Sequence, residues 1–107
     1  NDADIVGNIA LALGNIGDRR AVNPLIDLLT ERDPYLRATA ADALGNLGDP
    51  RAVDHLIERL SDTDVASEEP ELWVCDYAAE ALRKINTPDA LYALEQFDNG
   101  EFDEDFD

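Results

Sequence analysis

Apolar residues return along this chain every three or four positions, in six separate stretches. In the middle of the chain Leu36, Ala40, Ala43, Leu44 and Leu47 fall at i, i+4, i+7, i+8 and i+11, one stripe of a 3.6-residue helix. Ala52, Val53, Leu56, Ile57 and Leu60 make the same stripe on the stretch that follows. No segment alternates with period two and no run is rich in strand formers, so the pattern predicts helices near 3–15, 19–31, 34–46, 50–61, 71–85 and 88–97. The breaks between stretches carry chemistry of their own. Asp33-Pro34, Asp49-Pro50 and Thr87-Pro88 each place a capping oxygen before a proline at the first helical position, where its missing N–H costs nothing. Asp2 and Asp18 hold the corresponding places in the first pair of helices, without the proline. Gly17, Gly48 and Asn86 end the first helix of each pair, where a left-handed residue is wanted and Asn is the next most tolerated after Gly.

The stretches repeat in pairs. Residues 12–29 and 43–60 agree at 12 of 18 positions at an offset of 31, and 78–94 matches 40–56 at 7 of 17 at an offset of 38. The seven extra residues fall in the acidic segment 64–71, DVASEEPE. A two-helix unit of this length cannot bury both faces alone, so such units stack on their neighbours. The expected fold is therefore all-α: three two-helix repeats, at about 1–31, 32–62 and 63–97, stacked as a right-handed α-α superhelix of six helices. An acidic tail follows at 98–107.

The string from Ala40 to Leu60, AADALGNLGDPRAVDHLIERL, resembles the short HEAT repeat of the phycobilisome-lyase (PBS lyase) type, and Asp33-Pro34-x-x-Arg37 is similar to that family's usual start of the first helix. The resemblance covers about 1–97. It implies a HEAT-like α-solenoid, and for function it spans lyase subunits, hydroxylases and scaffolds without chemistry. The hydroxylase class would need His-Glu pairs as iron ligands, and the lone His55 is followed by Leu56.

Charge narrows the partners. Twenty-five acids against 8 basic residues give a net −17 with His neutral, which argues against direct nucleic-acid binding because phosphate contacts need basic surface. No apolar run approaches the ~20 residues of a membrane span. One cysteine excludes an internal disulfide and a multi-Cys metal site, and fits a reducing, cytoplasmic setting. Cys75 stands where the second repeat has Arg37, beside Asp76, so an activated thiolate is disfavoured. No phosphate-binding loop, nucleophile elbow or dinucleotide fingerprint occurs, and an EF-hand register on Gly100 would put Phe97 and Phe106 at ligand positions. No catalytic, cofactor or metal residue is expected.

What remains is surface. In HEAT-like arrays the second helices line the concave side, and by wheel position they present Arg20, Asn23 and Asp27, then Arg51, Asp54 and Glu58, then Asp89, Tyr92 and Gln96. These nine are the expected partner-binding face of a non-catalytic interaction scaffold, the partner being another protein with a basic surface. Trp73 and Tyr77, beside the insertion, offer a second candidate as an aromatic anchor. The tail reads as a disordered solvating segment, although Phe97, Phe102 and Phe106 lie at or in it. In the third repeat Glu95 and Asp98 replace Ile57 and Leu60, as a terminal cap requires. The leading helix instead keeps Ile5, Val6, Ile9 and Leu11, which implies either a longer array or self-association through that helix. Two functional alternatives stay open: a subunit of a phycobilin lyase or other chromophore-handling enzyme, and the C-terminal part of a larger regulatory solenoid. The acidity has two explanations as well, a basic ligand or a high-salt habitat, since Asp outnumbers Glu by 16 to 9 and Lys84 is the sole lysine.

Overall fold

Proline and the capping residues set where the helices from Pro34 and Pro88 and the 3-10 turns from Arg19 and Pro50 begin. A computed structural model describes residues 2–99, with side chains from Ile5 onward. Six α-helices occur there: α1 (Asp2–Ile16), α2 (Val22–Leu28), α3 (Pro34–Leu47), α4 (Val53–Glu58), α5 (Val74–Ile85) and α6 (Pro88–Asp98). The Asp33, Asp49 and Asp18 carboxylates accept the amides of Tyr35, Arg51 and Arg20, each at 2.9 Å, and the Thr87 hydroxyl accepts the Ala90 amide at 3.2 Å. Gly17, Gly48 and Asn86 close the first helices at φ of 83°, 69° and 62°, so all three left-handed caps are where the sequence places them. Asp2 is the first helical residue of α1, and its side chain is not among those described.

The first helices α1, α3 and α5 lie side by side, and the second helices pack against them as a second layer. α3 is covered on both sides, which is why nine of its residues are buried rather than one stripe. Leu25, Leu29, Leu44, Leu56, Leu60 and Leu82 fill the space between the layers. Between first helices the contact is backbone on backbone. A β-carbon built on Gly14 would stand 2.6 Å from Cβ of Ala43, and one on Gly45 2.7 Å from Cα of Ala81. Glycine facing a small residue lets these axes approach so closely.

The second helices are less regular than expected. Arg19–Ala21 and Pro50–Ala52 are 3-10 turns that lead into α2 and α4, and Arg59–Ser61 is a further 3-10 turn after α4. The larger correction falls on the insertion. Segment 64–71 is not a loop and no helix begins at 71. Strands β1 (Val65–Glu68) and β2 (Glu71–Trp73) form an antiparallel hairpin, pairing Val65 with Trp73, Ser67 with Leu72 and Glu68 with Glu71 around a bulge. The Glu69-Pro70 peptide at its turn is cis. The amides of Val74 and Cys75, orphaned at the start of α5, donate to the carbonyls of Asp64 and Asp62 at 2.9 Å each. The Trp73 amide donates to the Asp76 carboxylate at 2.8 Å. The base of the hairpin thus caps α5, and the helix starts at Val74. At the other end Asp98 still belongs to α6, and Phe97 packs against the core. Residues 100–107 of the expected tail, with Phe102 and Phe106, lie outside the described residues.

Candidate functional site

The second-helix face begins at the turns that open each helix. In the first two repeats the capping aspartate is followed two residues later by an arginine, and a 3-10 turn folds that arginine back. Arg20 donates to both Asp18 carboxylate oxygens, from Nε at 3.1 and 3.3 Å and from Nη2 at 2.8 Å. Arg51 makes the same fork on Asp49, at 3.2, 3.2 and 2.8 Å. These side-chain bonds, with the backbone amide of the same arginine, hold both carboxyls down at about 2. Asp49 is buried while Asp18 is half-buried, so the second fork is the better shielded from solvent. The third repeat has Thr87 and Asp89 at these positions and makes no such pair.

The consequence for the nine expected residues, four acids against two arginines in the sequence, is that both cations are paired within the chain. Arg20 and Arg51 are exposed but spend their charge on their own caps. Asn23, Asp27, Asp54, Glu58, Asp89 and Tyr92 are exposed and Gln96 is half-buried. Among the described residues Asp27, Asp54, Glu58 and Asp89 make no ion pair. The face is acidic, with Tyr92 standing 66% exposed at its third-repeat end.

Trp73 and Tyr77 fall on different elements, β2 and α5. Trp73 sits in β2 rather than in the first turn of a helix, paired across from Val65, and both are partly open to solvent. Tyr77 is half-buried against the core and lines a small hollow of about 280 Å³ with Leu72, Asp42, Asp76 and Glu80.

Arg37 is the polar centre that the pattern of the sequence does not reveal. It is 7% exposed, donates from Nη1 to the carbonyls of Glu31 and Arg32 at 2.7 and 3.0 Å, and holds Asp62 at 2.8 and 3.2 Å and Asp64 as well. Burial works against its charge, and the two carboxylates more than offset that cost, so its pKa is raised. Its only sequence signal is its place in Asp33-Pro34-x-x-Arg37, since its partners lie 25 and 27 residues away. Arg37 thereby ties the start of α3 to the foot of the hairpin, a structural role.

Cys75, at the equivalent place in the third repeat, is buried. Burial first, then the charges of Asp76 and Asp62, push its thiol up, away from the reactive thiolate. His55 is exposed. Among the described residues no three His, Cys, Asp or Glu side chains are placed to hold a metal ion, and no helix is long and apolar enough to cross a membrane.

Comparison with known proteins agrees with the stacked hairpins. No curated protein matches the chain. The family described as HEAT repeats matches residues 1–69, and the PBS lyase HEAT-like repeat matches residues 74–99, so the two together run across the six helices and meet at the inserted hairpin. The chain belongs to the HEAT-repeat family.

Proposed function

We propose that this chain is a non-catalytic scaffold that binds a partner protein through the exposed, concave face of its second helices, and that the partner presents a basic surface. HEAT repeats as a class are protein-interaction modules. The observation that carries the finer reading is the disposition of charge. Arg20 and Arg51 are closed on Asp18 and Asp49, leaving Asp27, Asp54, Glu58 and Asp89 without a cation among the described residues. An acidic strip of this kind speeds encounter with a basic surface more than it deepens affinity, and an exposed tyrosine within it supplies rigid contact area. The lone buried thiol of Cys75 fits a reducing, cytoplasmic compartment.

The test is binding to proteins of the source cell's extract by three forms: the parent chain, D27N/D54N/E58Q, and E68Q/E69Q/E71Q on the hairpin. Both variants lose the same charge. Retained proteins lost from the first variant and kept by the second support the reading; equal loss from both reduces the effect to bulk acidity. A shift of a bilin's visible absorbance band on binding would move the chain to the chromophore-handling class instead. Self-association through α1 and membership of a larger regulatory solenoid both draw on a different observation, the exposed Ile5 and Ile9.

A further inference from the structure

Three helices of this fold carry equivalent stripes, and only two of the stripes are covered. Leu36, Ala40 and Ala43 on α3, and Val74, Ala78 and Ala81 on α5, are all at most 5% exposed. Thirty-one residues before the α3 set stand Ile5, Ile9 and Ala12, with Ile16 corresponding to Leu47. On α1 the same positions are open: Ile5 is 58%, Ile9 55% and Ile16 74% exposed, and Ala12 is exposed between them. They fall at i, i+4, i+7 and i+11, so they form one face, lying away from the Gly14 face that packs on α3.

What covers the equivalent faces is known in detail. Ala43 receives Gly14 of the preceding first helix, and Ala81 receives Gly45. Ala12 keeps the small side chain that this contact requires, in the middle of a row of isoleucines. We infer that the Ile5–Ile9–Ala12–Ile16 face of α1 is a docking surface for one further two-helix repeat, whose first helix crosses Ala12 with a glycine. The occupant follows from continuity: the vacant face shares its central alanine and its helical spacing with two interfaces already filled within the chain, and carries Ile9 where those have Ala40 and Ala78. A second copy of this chain stacked head to tail does not meet the requirement. Its free α5 face carries Arg83 where Gly14 and Gly45 stand, and that side chain is held in place by Glu80 and Asp98 at 3.7 Å each. A net −17 on each copy opposes any closer symmetric contact. The inference is independent of the acidic second-helix face, and either can fail without the other.

The probe is a second copy of residues 1–31 fused directly before Asn1 of the full chain, which preserves the 31-residue step from Gly14 to Gly45. The expected result is one cooperative urea transition with a raised midpoint, and amide exchange over residues 5–16 of the original copy slowed by about tenfold or more. Gly14→Ala in the added copy alone then removes the gain. Alanine is the better helix former, so only its collision with Ala12 can cause that loss. An added segment that stays unfolded or melts separately at an unchanged parent midpoint overturns the inference. So does an unfused chain that sediments as a dimer and becomes monomeric with Ile9→Glu, which gives the face to a second copy.

Discussion

Gly45 and Ala81 meet with no room for a methyl group between them: a β-carbon on Gly45 would stand 2.7 Å from Cα and 2.9 Å from Cβ of Ala81. Neighbouring repeats are therefore registered by main chain, and the stack tolerates little change at this point. Gly45→Ala improves helix propensity by about 1 kcal/mol, yet overpacking of this kind costs about 1–3 kcal/mol. The expected net outcome is a lower urea midpoint. Ala81→Gly in the same chain relieves part of the loss, and a double-mutant cycle over the pair reads a non-zero coupling. Additive effects would show that the helices part easily.

Arg37 predicts a larger loss. Arg37→Met leaves the carbonyls of Glu31 and Arg32 without their donor and strands Asp62, whose side chain is 9% exposed. Removing one partner of a buried pair costs about 3–5 kcal/mol. Arg59, 3.4 Å from Asp62, softens this, so about 3 kcal/mol is expected by urea denaturation. Asp62→Asn added to Arg37→Met recovers part of it, because no bare carboxylate then remains.

The Asp49–Arg51 fork writes a signature into the acid limb of stability. Asp49 ionises at about 2 in the fold against 3.8 as a free side chain. Its ionised form is favoured by folding, so the contribution is fully present above about pH 4 and is lost as pH falls towards 2. Asp49→Asn keeps a capping acceptor and removes the charge. The stability difference between parent and variant is accordingly constant from pH 7 to about 5 and shrinks below pH 4. Asp18 behaves in the same direction with a smaller amplitude, since its partner Arg20 is almost fully exposed and screened by water.

Salt separates the two explanations of the acidity. If a basic ligand accounts for it, screening of a net −17 raises stability up to about 0.5 M KCl, where the Debye length has fallen to a few ångström, and the curve then flattens. A midpoint that keeps climbing steeply into molar salt assigns the acidic surface to a high-salt habitat.

Local chemistry made much of this fold readable. Asp33-Pro34 and Thr87-Pro88 each determine a helix start from two adjacent residues, Asp49-Pro50 the start of the turn into α4, and Gly48 and Asn86 determine helix ends through one backbone conformation each. The hairpin was not readable, because Glu68, Glu69, Pro70 and Glu71 are residues that strands usually lack. Its base supplies the carbonyls of Asp62 and Asp64 to the first amides of α5, which have no partner within the helix. Arg37 escaped because its partners are distant in sequence. The pairing of the two arginines on the second-helix face is a third case. The Asp18-x-Arg20 and Asp49-x-Arg51 spacings are visible in the chain, but it takes the 3-10 turn to close each arginine onto its aspartate rather than leave it to a partner.

The most direct measurement of the interaction account is site-specific photocrosslinking in the source cell, with a benzophenone amino acid at position 54 or 92 on the second helices, or at position 69 on the hairpin. The account predicts a discrete protein adduct from 54 and 92 and none from 69. An adduct from 69 alone, or none from 54 and 92, would contradict it.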